Sequence, residues 1–169
     1  MSISRTILPE FDQEMSTTRK ILERVPEGRS DWRPHPRSMT LGRLAGHVAE
    51  LPGWGVTTLT QTELDFAPAG GPTYQPTTFT TRAATLEIFE DGVTACREAI
   101  ANASDADLQV IWSLKRAGHT LFSMPRSAVL RSMVLNHIIH HRAQLGVFLR
   151  LNDVPIPGSY GPSADEPRM

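Results

Sequence analysis

The chain has 169 residues, 40% hydrophobic and 21% charged, with a net charge of -1. A chain of this length can bury most of its apolar surface as one domain, and the balance of 17 basic against 18 acidic residues gives no general pull toward nucleic acid or an anionic membrane. A single cysteine, Cys96, excludes an intramolecular disulfide and suits a reducing compartment.

No stretch of about 18 apolar residues reads as a membrane span. Residues Met1 to Asp12 lack the apolar core of a signal peptide. The expectation is a cytoplasmic protein with one domain over residues 1–169, without nucleic acid or membrane as partner.

Four segments carry helical periodicity. In the first, Leu8, Phe11, Met15, Thr18 and Leu22 share one stripe, and Pro26-Glu27-Gly28 stops it. In the second, Leu44, His47, Leu51, Trp54 and Thr58 share a stripe, with Thr40 as N-cap. Pro52 and Gly53 interrupt it, since proline cannot donate to the carbonyl four residues back. The third runs from about Thr80 to Asn102 on Leu86, Phe89, Val93, Cys96 and Ile100; Cys96 reads as a small buried hydrophobe. The fourth runs from about Ser127 to Leu151 on Leu130, Val134, His137, His141, Leu145 and Phe148. Asn152-Asp153-Val154-Pro155 ends it.

Between the third and fourth helices, Leu108 to Pro125 reads as a short hairpin turning at Lys115-Arg116-Ala117-Gly118. Asp65 to Thr78, rich in proline and glycine, reads as a loop. Pro155 to Met169 reads as an irregular tail. The fold class expected is all-α: a four-helix bundle with crossover connections and a short hairpin between helices three and four.

Of the six histidines, three hold stripe positions. His137 and His141 stack four apart on one helix face, and His47 lies on the stripe of the second helix. Neutral imidazoles are good ligands for a borderline divalent metal, and three of them leave a position open for water or substrate. Such an ion would lower the pKa of bound water or activate a thiol. Hydrogen-bonded core histidines are the plainer alternative, and the pattern leaves both open.

Other metal sites fail on detail. Ile138 stands where a zincin helix needs its glutamate, and the fourth helix has no glutamate for a di-iron centre. His140 lies about 100° around the helix and is a poor co-ligand. His35 and His119 read as surface loop residues.

The run from Trp32 through Leu44-Ala45-Gly46-His47 resembles the start of the second helix in the DinB-like family. Asn136-His137-Ile138-Ile139-His140-His141-Arg142-Ala143-Gln144-Leu145 is similar to that family's last core helix. Tyr160-Gly161-Pro162-Ser163-Ala164-Asp165-Glu166 is similar to its C-terminal segment.

The resemblance implies one metal on His47, His137 and His141, with nickel or zinc typical and iron or manganese also acceptable to such ligands. It further implies a homodimer and, from the wider superfamily, transfer or isomerisation chemistry with a low-molecular-weight thiol.

Around that site, Glu50 reads either as a carboxylate orienting a ligand or as a solvated surface group. Trp54 reads as pocket wall or core. Arg142 could meet an anionic substrate or pair with a carboxylate. Tyr160 could cover the open site or pack the tail on the bundle. No internal general base stands out.

The leading expectation is a metal-dependent hydrolase or thiol S-transferase. The alternative is a non-catalytic dimer that binds a metal or small molecule. A metal-free bundle with hydrogen-bonded histidines is a weaker third reading.

Overall fold

The computed structural model describes residues 2–166. Its helices α1 (Ile3–Leu22), α2 (Leu41–Thr60) and α3 (Arg82–Asn102) are followed by a short α4 (Asp105–Gln109) and a final helical stretch from Arg126 to Arg150. Phe11, Met15, Thr18 and Leu22 of α1 are buried as their spacing requires, as are Leu44 and Leu51 of α2 and Phe89, Cys96 and Ile100 of α3. These side chains share one apolar core with Leu130, Val134 and Leu145 of the last helix.

Local sequence sets the helix ends. Thr40 caps α2 by accepting the N–H of Arg43 at 3.1 Å, and Thr81 caps α3 by accepting that of Ala84 at 3.1 Å. Ser104 and Asp107 form a reciprocal capping box on α4. Helix α2 runs on through Pro52. It packs tightly on α3 through small residues: a Cβ at Gly55 would meet the Cys96 sulfur at 2.3 Å.

The all-α expectation needs a correction. The expected hairpin is present as β2 (Ile111–Arg116) and β3 (His119–Pro125), and a third strand, β1 (Glu63–Asp65), pairs parallel to β2. The protein is therefore mainly helical with a small sheet ordered β1-β2-β3. His119, expected in a loop, begins β3.

The hairpin turn places Ala117 and Gly118 at positive φ, 50° and 79°. The carboxylate of Asp65 makes that turn tolerable. It accepts the N–H of Ala117 at 2.9 Å and of Gly118 at 2.7 Å, so the residue that ends β1 also fastens the hairpin.

The last helix is not uniform. Arg126–Val129 (α5) and Asn136–Arg150 (α6) are joined by a π-helical section, Leu130–Leu135, with helical backbone angles at both joins. In an ideal α-helix Leu130 and Ile138 would be about 80° out of phase; one accommodated extra residue brings them to within about 20°. The stripe expected on His137 and His141 therefore shifts by one residue. Ile138, Arg142, Leu145 and Leu149 are buried, while His137 and His141 stand half-buried beside that row.

The tail is irregular over 155–166, and the rest of that expectation, residues 167–169, lies outside the described residues. Its carboxylates hold it in place: Asp165 accepts the N–H of Ile156 and pairs with Arg150, and Glu166 accepts the N–H groups of Gly158 and Ser163. Among the described residues no helix is long and apolar enough to cross a membrane.

Candidate metal centre

Helices α2 and α6 bring His47, His137 and His141 together, with one ligand atom from each lying within 4.8 Å of the others. The hydrogen bonds of the rings show which atoms these are. His47 Nδ1 donates to the Glu50 carboxylate at 2.7 Å, His137 Nδ1 to the Met133 carbonyl at 3.3 Å, and His141 Nδ1 to the Gln144 side-chain oxygen at 2.7 Å. Each ring thus spends its proton on an outer acceptor and turns Nε2 inward.

Nε2 of His47 lies 3.3 Å from Nε2 of His137. Bonds of about 2.0–2.1 Å at a tetrahedral angle place ligand nitrogens about 3.3–3.4 Å apart. The donor set and its outer hydrogen bonds fit a divalent ion of the zinc or nickel type.

Burial and neighbouring charge favour the neutral, ligating form of His137 and His141. Burial pushes His141 down to about 4; His47 and His137 add to this and Gln144 opposes it. His137 is lowered by burial, then by His47. Burial alone would raise Glu50, but hydrogen bonds from His47, Tyr74 and Thr77 outweigh it and hold the carboxylate at about 2. Glu50 is therefore an anion aimed at His47, and its reading as a solvated surface group is replaced.

Trp54, two turns along α2 from His47, forms a wall. Its ring lies edge-on to His47 and to His137, 5.8 Å from each, and packs on Phe66 and Tyr74.

Two open cavities border histidines of the site. A cavity of about 310 Å³ is lined by Ser132, Met133, Asn136, His137 and His140. Another of about 210 Å³ reaches His141 past Ser38, Met39 and Phe148. His140 is exposed, with its ring 4.8 Å from that of His141. His35 is exposed and accepts the N–H of Arg37.

Arg142 and Tyr160 meet each other instead of the histidines. The shifted helix phase turns Arg142 toward α1, where its guanidinium pairs with Glu14 at 2.7 Å and donates to the Thr18 hydroxyl and the Glu14 carbonyl. Another nitrogen of the same group donates to the Tyr160 hydroxyl at 2.9 Å, which in turn donates to Glu14. This cluster, buried except for Tyr160, fastens the tail to the bundle. Of the two readings given for each residue, these contacts are those of Arg142 pairing with a carboxylate and of Tyr160 packing the tail on the bundle.

Sequence reasoning missed Tyr74, Thr77, Arg43 and Gln144. Gln144 was the most accessible: it lies three residues after His141, hence on the same helix face. Arg43 likewise lies on α2 four residues before His47, whereas Tyr74 and Thr77 are brought in by the loop after β1, where no periodicity guides the eye.

The chain pairs a mainly helical fold with a three-histidine cluster able to hold a metal ion. It belongs to the DinB superfamily, whose family model matches residues 10–145. Two solved structures are similar over nearly their whole length. A DinB-like protein from Bacillus cereus ATCC 10987 is 26% identical, with a TM-score of 0.67, covering 90% of this chain and 95% of its own. A DinB-like protein from Bacillus subtilis shares the fold at 15% identity and a TM-score of 0.67, covering 91% of this chain and 96% of its own. No curated protein matches the chain significantly.

Proposed function

We propose that this protein is a four-helix-bundle metalloenzyme, one domain over its whole length, that binds one divalent ion through His47, His137 and His141. The carrying observation is the convergence of one ligand atom from each of three histidines whose rings each donate Nδ1 to a separate acceptor. Zinc or nickel suits these ligands best, and iron or manganese is also acceptable. A metal held by three protein ligands keeps a position for exchange and, when bound, lowers the pKa of water or of a thiol there.

The protein's own groups do the rest. Glu50, Met133 and Gln144 hold the imidazoles in one tautomer, and Trp54 walls the site on one side. The cavities bordered by His137 and by His141 support catalysis over mere storage of a metal, because they offer room for a small substrate beside the ligands. The reaction class is hydrolysis or thiol S-transfer. Any thiol must come from a small cosubstrate, since Cys96 is buried and burial pushes its thiol up to about 12. The reading places the protein in the cytoplasm as a homodimer, without nucleic acid or membrane.

The test is elemental analysis of untagged protein, followed by a thiol-transfer and ester-hydrolysis screen of zinc- and nickel-loaded samples. About one metal per chain and turnover that disappears in His137→Ala support the reading. Metal well below one per chain after reloading would remove it. Full metal content without turnover favours a non-catalytic metal-binding dimer.

A further inference from the structure

Glu50 is gripped from outside its helix. Its Oε1 accepts from the Tyr74 hydroxyl and from His47, while its Oε2 accepts the N–H of Thr77 at 3.0 Å. Arg43 bridges the same parts, donating to the Thr77 carbonyl at 3.2 Å and standing 3.5 Å from Glu50. Tyr74 and Thr77 belong to the long connection between β1 and α3, not to the helices that carry the histidines.

That connection is pressed directly on α2 beside His47. A Cβ at Gly46 would lie 2.4 Å from the Thr77 carbonyl oxygen, and Phe79 donates its N–H to the Gly42 carbonyl at 2.9 Å. The Tyr74 ring also packs on Trp54 and on Phe66. The segment 74–79 is thus built against the metal side of α2 by a carboxylate, a close glycine contact and an aromatic stack.

We propose that Tyr74 is a positioning residue of the metal centre: through Glu50 it fixes the ring of His47 as a Nδ1–H tautomer, so that the loop carrying it and the metal ion stabilise one another. This rests on the metal-binding reading above. The physical cause is direct. A carboxylate that also accepts a charge-assisted hydrogen bond from a phenol is held in place, and a fixed carboxylate holds the imidazole proton on Nδ1 and the lone pair on Nε2. Linkage then requires that whatever the loop contributes to metal affinity, the metal returns to the loop.

The experiment compares wild type, Tyr74→Phe and Gly46→Ala in zinc affinity by chelator competition, in imidazole 15N spectra of the metal-free protein, and in hydrogen exchange of the Thr77 amide. Removing an outer ligand partner typically costs about 10- to 100-fold in metal affinity. Tyr74 acts one bond further out, so Tyr74→Phe should cost roughly 3- to 10-fold. Gly46→Ala, a good helix substitution that forces the loop off α2, should cost at least as much. In both variants His47 should lose its single Nδ1–H tautomer, and zinc should slow Thr77 exchange less than in wild type.

Zinc affinity within about twofold of wild type in both variants would overturn the proposal and leave metal binding intact. Failure of the wild type to bind zinc would overturn both, and the metal-free spectra would still report whether Tyr74 fixes the His47 ring.

Discussion

Nε2 of His47 and Nε2 of His137 face each other across 3.3 Å, although 90 positions separate the two residues in the chain. Both rings donate from Nδ1 to outer acceptors. In the neutral Nδ1–H tautomer each Nε2 keeps its lone pair, so the two lone pairs meet with no proton between them. A cation placed there converts a repulsion into two bonds.

Metal binding should therefore raise thermal stability. At a metal concentration of 100 times Kd the gain is about 2.7 kcal/mol, which for a domain of this size is roughly 5–10 °C in Tm. Scanning fluorimetry with zinc or nickel measures it. His47→Ala and His137→Ala should abolish the shift; an undiminished shift in either variant would place the metal elsewhere.

The metal-free protein should lose stability on acidification in two successive, slightly overlapping windows. His141 has an ordinary value of 6.5 and sits at about 4 in the fold. Between these values the unfolded chain binds more protons, so stability falls as pH drops from 6.5 toward 4. Glu50 has an ordinary value of 4.5 and sits at about 2, so its contribution is complete above 4.5 and is lost as pH falls toward 2. Urea midpoints across this range report both. His141→Gln should flatten the upper window and Glu50→Gln the lower; a profile unchanged by His141→Gln contradicts the assignment.

The Glu14–Arg142 pair should matter for folding and not for metal. Both side chains are buried, so Arg142→Met leaves an uncompensated carboxylate and should cost about 3–5 kcal/mol. Adding Glu14→Leu to it should recover much of that loss. Zinc affinity of the folded double variant should match wild type. A tenfold change would mean that the cluster reaches the histidines.

Helices α2 and α3 meet where Gly55 faces Cys96. An alanine methyl at position 55 would stand 2.3 Å from the sulfur, which should destabilise by about 1–3 kcal/mol. Cys96→Ala removes the obstructing atom, so the double variant should be more stable than Gly55→Ala alone. Denaturant unfolding of the four proteins measures the coupling, and simple additivity would show that the contact is not the cause. Cys96→Ala should also leave any turnover unchanged.

Much of this architecture is legible in the sequence because it depends on local spacing. The helices, the Thr40 cap and the His137–His141 pair all follow from neighbours within a few residues, and His47 could be added because its own stripe points inward. What stayed hidden depends on contacts distant in the chain. Strand β1 is only three residues long and gains meaning from β2. Tyr74 lies 24 positions from the carboxylate that it holds. Glu14 sits beside a stripe of apolar residues and reads as a surface carboxylate until Arg142 is turned toward it. The π-helical section carries no proline or glycine to announce it, so the row assigned to the core is displaced by one residue.

That section makes the last helix sensitive to length more than to composition. Taking one residue out of Leu130–Leu135 would let an unbroken α-helix form and keep everything after it in its present phase relative to α5, whereas adding one would turn it by about 100°. Arg142 and the histidine pair could not then both keep their present neighbours. Conservative replacements and a single-codon deletion within the section should be absorbed, whereas a single-codon insertion there should cost the protein its tail anchor or its histidine cluster.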